Sequence, residues 1–218
     1  MARMRVAVLV SGRGSNLQSL IDACAAPNFP AEIVQVISNR PGAYGLERAQ
    51  KAGIPTRTID HKSFETKAAF ERALAEALSE AGARLICLAG FMRLLSSDFV
   101  RRWEERMINI HPSLLPSFKG LHTHRQTLEA GVKIAGCTVH YVVPEMDAGP
   151  IIIQAAVPVE QGDDEDALAK RVLQQEHEIY PRALKWIAEG RAQIHDGVVR
   201  IDGAQDEQSA MRVPDRAC

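Results

Sequence analysis

The sequence predicts a doubly wound α/β fold whose sheet is mostly parallel, with an antiparallel C-terminal part. Three observations carry this prediction. Short apolar, β-branched runs alternate with longer helical segments through the first 110 residues, the pattern of strands joined by crossover helices. The first apolar run, Val6-Ala7-Val8-Leu9-Val10, passes into Gly12-Arg13-Gly14, a strand-to-helix turn. A later run, Leu85-Ile86-Cys87-Leu88-Ala89, is apolar at every position, as suits a strand buried on both faces of a parallel sheet. Such sheets bind ligands at the carboxyl ends of their strands.

In chain order, residues 5–10 form the first strand, and Leu17-Gln18-Ser19-Leu20-Ile21 begins an amphipathic helix. Residues 32–38 read as a second strand, 46–52 as a helix ended by Gly53, and 55–59 as a shorter third strand. The Ala-, Leu- and Glu-rich stretch 64–81 is a helix closed by Gly82, and 85–89 is the fourth strand. The pattern changes after Trp103. Residues 107–110 are a brief strand, and the prolines of His111-Pro112-Ser113-Leu114-Leu115-Pro116 force an irregular extended loop before a helix over 125–130. Residues 134–143 and 150–159 are expected to form an antiparallel pair joined by Pro144-Glu145-Met146-Asp147-Ala148-Gly149. Asp163 and Asp164 open a long helix to about residue 189, expected to bend near Pro181. Residues 192–201 read as a hairpin around Asp196-Gly197, a pair suited to a type I′ turn. Residues 1–202 are therefore expected to be one domain, and the polar tail 203–218 to be disordered.

Composition narrows the function. With 218 residues the chain can bury one sizeable core, and a net charge of −1 leaves no broad basic field for an extended polyanion such as DNA or RNA. No segment approaches the ~18 apolar residues of a membrane span. Cys24, Cys87, Cys137 and Cys218 lie far apart with no C-x-x-C pair, which fits reduced thiols in a cytoplasmic enzyme better than a disulfide framework.

Ser11-Gly12-Arg13-Gly14-Ser15-Asn16 lies between a strand and a helix start, where backbone N–H groups and the helix dipole favour an anion. A tight turn that needs only its glycines fits the same residues. Leu17 stands where a dinucleotide fingerprint has its third glycine, so a single phosphate suits the turn better than a pyrophosphate. In Asn109-Ile110-His111 the two polar side chains share one face of an extended segment while Ile110 faces the core. An amide that can donate to an oxyanion and an imidazole that can deliver a proton suit acyl transfer; a buried Asn and His that satisfy loop carbonyls fit the same pair. Asp147, in the loop that ends in Gly149, could orient His111 or a water beside it, and a solvated turn residue fits the same position. His111, His122, His124, His140 and Asp147 have the residue types of a metal site, but their spacing is no recognised zinc pattern and no metal is expected.

Taken together, Gly12-Arg13-Gly14-Ser15-Asn16, Leu88-Ala89-Gly90-Phe91-Met92-Arg93, the segment from Asn109 through Pro116, Gly120-Leu121-His122-Thr123-His124, Asp147-Ala148-Gly149-Pro150 and Gln175-Glu176-His177 resemble the folate-dependent glycinamide ribonucleotide formyltransferases of purine synthesis. The resemblance spans about residues 5–190. It implies a formyltransferase-type, Rossmann-like fold and formyl transfer from 10-formyltetrahydrofolate, as co-substrate, to the amine of glycinamide ribonucleotide. By the same resemblance Asn109, His111 and Asp147 would be catalytic, Gly14, Ser15 and Asn16 would cradle the nucleotide phosphate, and Glu176 would help hold the nucleotide. Met92, Arg93, Leu94 and Leu95, with Asn109, Val143, Pro144, Glu145, Met146 and Asp147, would line the folate site. Lys67 would approach the folate's glutamate tail. Leu173 stands where the resemblance places a polar neighbour of the nucleotide, which leaves Gln174 and Gln175 as substitutes.

Nearby activities share this chemistry: formylation of methionyl-tRNA and hydrolysis of formyltetrahydrofolate. The first is expected to need a further domain or a basic surface, and the second an N-terminal regulatory domain. A non-catalytic nucleotide- or folate-binding module would need the cradle without the trio.

Overall fold

The computed structural model describes residues 2–204 and 212–213. Strands β1 (Met4–Val10), β2 (Ala31–Ser38), β3 (Thr56–Thr58), β4 (Leu85–Leu88) and β5 (Met107–His111) pair in parallel in the order β3-β2-β1-β4-β5. Strand β6 (Ile134–Tyr141) then runs against β5, and β7 (Ile151–Pro158) against β6, completing a sheet of seven strands. The expected antiparallel part is present. It begins one strand earlier than the pattern suggested, because β5 belongs to both the parallel and the reversed pairing.

Alternation along β1 divides the core. Val6, Val8 and Val10 face a cluster built with Leu17 and Leu20 of α1 (Ser15–Ala25), Leu46 and Ala49 of α2 (Tyr44–Lys51), and Val172 and Tyr180 of α6 (Glu165–Ala188). Ala7 and Leu9 face the opposite cluster, with Phe70, Leu74 and Leu78 of α3 (Lys67–Glu80) and Phe99 of α4 (Ser97–Arg102). Helices on both faces explain why β1 and β4 are apolar at nearly every position. The Tyr180 hydroxyl is the buried exception: it donates to the Leu88 carbonyl at 2.9 Å, with the Ile108 carbonyl at 3.4 Å, and so links α6 to the ends of β4 and β5.

Caps set several boundaries. Thr66 Oγ1 accepts from the Ala69 N–H at 3.1 Å, so α3 starts at Lys67 and not at residue 64. Phe64 stays outside the helix and packs edge-on against Phe70, ring centroids 5.9 Å apart. Helix α4 was not expected from the sequence; it has only six residues, too few to show a helical period, and depends on its Ser96 cap. A short α5 (Thr123–Glu129) follows the proline-rich loop, and α6 continues through Pro181. Strands β8 (Ala192–His195) and β9 (Val198–Ile201) form the expected hairpin, with positive φ at both Asp196 and Gly197 as a type I′ turn requires. Gly203 and Ala204 follow that hairpin, and the rest of the expected disordered tail, with Cys218, lies outside the described residues apart from 212–213. Cys24, Cys87 and Cys137 are buried free thiols. Among the described residues no helix is long and apolar enough to cross a membrane.

Tyr180→Phe removes one buried donor and strands its carbonyl acceptors, which should cost about 1–3 kcal/mol of stability. Urea unfolding of the two proteins measures the difference, and equal midpoints would show that the hydroxyl carries no weight in joining α6 to the sheet.

Candidate active site

The polar face of β5 and β6 holds the first part of the site. Met107 packs into the α3 side of the core, while Ile108 and Ile110 pack into the opposite cluster. Strand alternation therefore turns Asn109 and His111 to the Met107 side, beyond the cover of α3. The register of β6 sets His140 opposite Asn109 and Thr138 opposite His111. Burial pushes the His140 imidazole down, which favours its neutral form. Its Nδ1 lies 2.9 Å from the Tyr141 carbonyl and must carry the proton there, so Nε2 is left as the acceptor for the Asn109 amide at 3.4 Å. Neutral His140 thus orients Asn109 and leaves its second N–H uncommitted.

Two irregular segments cover this face. Thr138 Oγ1 donates to the Ser113 carbonyl at 2.7 Å and accepts from the Leu115 N–H at 3.1 Å, while Gln154 donates to the Leu115 carbonyl at 3.0 Å. These bonds fasten the proline-rich loop to the sheet. The loop returns Phe118 to His111, whose Nε2 lies 3.0 Å from the Phe118 carbonyl. The second segment joins β6 to β7. A Cβ on Gly149 would stand 1.8 Å from the Tyr141 carbonyl oxygen, so only glycine allows the segment to close so tightly. Asp147, at φ 50°, points its carboxylate inward: Oδ2 accepts from the Gly120 N–H at 2.8 Å and lies 3.6 Å from His111 Nδ1. Both ring nitrogens of His111 therefore face oxygen acceptors.

The structure thus brings Asn109, His111 and Asp147 together, and adds His140. His140 was legible only as a candidate metal ligand, and the cross-strand register is the signal that places it beside Asn109. Among the described residues no group of His, Cys, Asp and Glu side chains is arranged to hold a metal ion. His122 occupies the turn before α5 at φ 57°, and burial pushes the His124 imidazole down.

The glycine loop forms a second part. Gly14 adopts φ 69°, and a Cβ there would stand 2.7 Å from the Gly45 Cα, so α1 and α2 can approach only over a glycine. The loop lines a cavity of about 270 Å³ with Arg40, Ala89, Gly90 and Met92. Asn16 donates to Glu176 Oε2 at 2.6 Å, which brings α6 to the loop, and among the described residues the buried Asn16 Oδ1 has no hydrogen-bond partner. Ser11 joins this loop to the segment after β4: its hydroxyl donates to Asn39 Oδ1 at 2.5 Å and accepts from the Met92 N–H at 2.7 Å.

The residues assigned to the folate fall on two rims. Met92 and Leu94 are 60% and 70% exposed, and Met146 is 53% exposed, a degree unusual for such large apolar side chains without a ligand. Arg93, Pro144 and Glu145 are exposed and Leu95 and Val143 half-buried. Lys67 opens α3, 3.9 Å from Glu71, whose carboxylate accepts from the Ser96 N–H at 2.6 Å. That chain of contacts sets Lys67 near the end of the 92–95 segment.

The chain as a whole is similar to known proteins. The family model described as formyl transferase matches residues 4–184, from β1 through most of α6. Phosphoribosylglycinamide formyltransferase of Escherichia coli (strain K12) is 47% identical over 200 residues, which are 92% of this chain and 94% of that protein. The chain belongs to the phosphoribosylglycinamide formyltransferase family. Glycinamide ribonucleotide transformylase 1 from Symbiobacterium toebii is a structural neighbour at TM-score 0.89 and 49% identity, with 91% of this chain and 94% of that one covered. The trifunctional purine biosynthetic protein adenosine-3 of Bos taurus is 54% identical over 192 residues, and the chain spans only 19% of its length.

Glu176 supplies a test of the nucleotide end. Burial pushes its carboxyl up, against the Asn16 hydrogen bond that favours the carboxylate. A raised acid holds its proton more tightly when folded, so stability falls as pH rises from the ordinary carboxylate range through the raised value. Glu176→Gln keeps an acceptor for Asn16 but carries no charge. It should melt above the wild type at about pH 8, and the gap should shrink towards about pH 4, where both states of the wild type are protonated. A gap independent of pH would show that Glu176 does not ionise against a desolvation cost.

Proposed function

We propose that this chain transfers the formyl group of 10-formyltetrahydrofolate to the amine of glycinamide ribonucleotide, in a cytoplasmic step of purine synthesis. The observation that carries this reading is that Asn109, His111 and Asp147 converge at β5, whose neighbour β4 leads through Ala89, Gly90 and Met92 into the glycine-loop cavity. The cradle, with Gly14, Ser15, Asn16 and Glu176, takes the ribonucleotide. Met92, Arg93, Leu94 and Leu95, together with residues 143–147, take the pterin, and Lys67 meets the glutamate tail. Membership of the family supports the choice of both substrates.

The amine nitrogen attacks the formyl carbon, forming the new C–N bond and shifting charge to the formyl oxygen. The uncommitted Asn109 N–H and a protonated His111 stabilise that oxygen. At 3.6 Å the His111–Asp147 contact is longer than a direct hydrogen bond. The Nδ1 proton is therefore available to an oxygen brought by the substrate. Asp147 faces Nδ1 of His111 and holds a water that carries the proton lost by the amine to the departing folate nitrogen, as the old C–N bond breaks. No covalent enzyme intermediate is required.

His111→Ala and Asp147→Asn should each lower kcat by ~10²-fold or more while both substrates still bind, because their contacts strengthen in the transition state. Unchanged turnover in either variant would remove the mechanism. A competition assay offering glycinamide ribonucleotide, water and methionyl-tRNA tests the acceptor. Formyl glycinamide ribonucleotide is the expected product, with a shallow salt dependence. Robust transfer to the tRNA with a steep salt slope would overturn the substrate assignment.

A further inference from the structure

The cradle presents a charge problem. A phosphate monoester near neutral pH carries about two negative charges, whereas the amino end of a helix supplies roughly half a positive charge. Backbone N–H groups add hydrogen bonds but no net charge. On α6, Leu173 contributes neither, Gln174 and Gln175 carry no charge, and Glu176, bonded to Asn16, is an acid.

Two cations line the cavity itself, Arg13 and Arg40. Among the described residues neither guanidinium takes part in an ion pair. Arg48, the other arginine beside the loop, is already committed: its Nε donates to the Arg13 carbonyl at 2.9 Å, its Nη1 to Gln18 at 3.1 Å, and its guanidinium lies 4.8 Å from the centroid of the Tyr44 ring. That first bond holds the backbone of Arg13 in place.

The backbone of Arg40 is held more firmly. The Ser38 hydroxyl donates to the Arg40 carbonyl at 2.8 Å and lies 3.1 Å from the Arg40 N–H, closing a small turn at the end of β2. Asn39, between them, is buried, and its side chain takes the Ser11 hydroxyl hydrogen bond. The loop that would wrap the phosphate and the residue that carries Arg40 are thus tied together through one buried contact. An arginine with a fixed base and no carboxylate partner loses less on engaging a phosphate than one drawn from an existing ion pair.

We infer that Arg40, assisted by Arg13, supplies the charge that selects a dianionic phosphate monoester in the cradle, in place of a polar group on α6. This rests on the proposed binding of the nucleotide at the glycine loop. Arginine suits the role because its planar fork can engage two phosphate oxygens at once.

The test pairs variants with substrates that differ only in the phosphate. Glycinamide ribonucleotide and its dephosphorylated nucleoside are compared as acceptors for the wild type and for Arg40→Gln, Arg40→Lys and Arg13→Gln. Arg40→Gln should raise the KM of the nucleotide ~10-fold and Arg13→Gln ~3-fold. The loss should fall on KM rather than kcat, leave the folate KM alone and vanish with the nucleoside. Arg40→Lys should recover part of it, since charge returns without the fork. If Arg40→Gln weakens nucleotide and nucleoside equally, its effect is structural and the inference is overturned. The inference alone also fails if the wild type strongly prefers the nucleotide and neither glutamine variant alters that preference. If the wild type does not distinguish the two acceptors and inorganic phosphate does not compete with the nucleotide, the reading of the loop as the phosphate site fails with it.

Discussion

Because β6 runs against β5, their connection, a proline-rich loop and the short α5, does not have to cross the whole sheet to reach a parallel register, and the site depends on that reversal. A parallel neighbour would require a crossover of a dozen or more residues, usually a helix packed on a sheet face. The reversal instead leaves Asn109, His111, Thr138 and His140 on a face covered only by loops. Each polar group there has to be satisfied by loop backbone or by another side chain, since an unpaired one would cost free energy. Thr138 satisfies Ser113 and Leu115, His140 satisfies the Tyr141 carbonyl, and Asp147 satisfies Gly120. The bonds that make the loops stable are the same ones that aim the reactive side chains.

The two ends of the site differ in how they treat charge. At β5 and β6, burial favours neutral His140 although Asp147 Oδ1 lies 4.0 Å from its Nε2, and Asp147 Oδ2 lies 3.6 Å from His111 Nδ1. Around the glycine loop, burial acts against the Glu176 carboxylate, while Arg13 and Arg40 have no acid partner among the described residues. Both arginines are exposed, so their charge is solvated in the free protein and open to a phosphate. Within the glycine-loop end, a single Ser11 hydroxyl ties the loop to both Asn39 and the backbone of Met92.

Much of this was legible in the sequence. The α/β alternation, the glycine loop and the alternation that sets Asn109 and His111 on one face all rest on local rules with a short period. What was not legible rests on register or on a few residues. Helix α4 is shorter than two helical turns, and its Ser96 cap means little before Glu71 is known to bond to it. His140 reads as one of several histidines until the β5–β6 register sets it opposite Asn109. Asp147 lies in a loop whose path is decided by the close approach of Gly149 to Tyr141, a contact with no periodic signature. Arg40 follows an unremarkable strand end, and only folding brings it to the cavity of the Ser11–Asn16 loop.

The central claim is that Asp147 acts through His111, so that the two form one unit. A double-mutant cycle on kcat for His111→Ala and Asp147→Asn, with formyl glycinamide ribonucleotide as the measured product, tests it most directly. If the claim holds, the double variant loses clearly less than the product of the two single losses, because without the imidazole the carboxylate keeps only its hold on the water. A double variant whose loss equals the product of the two single losses would contradict it, and would assign the two residues independent roles.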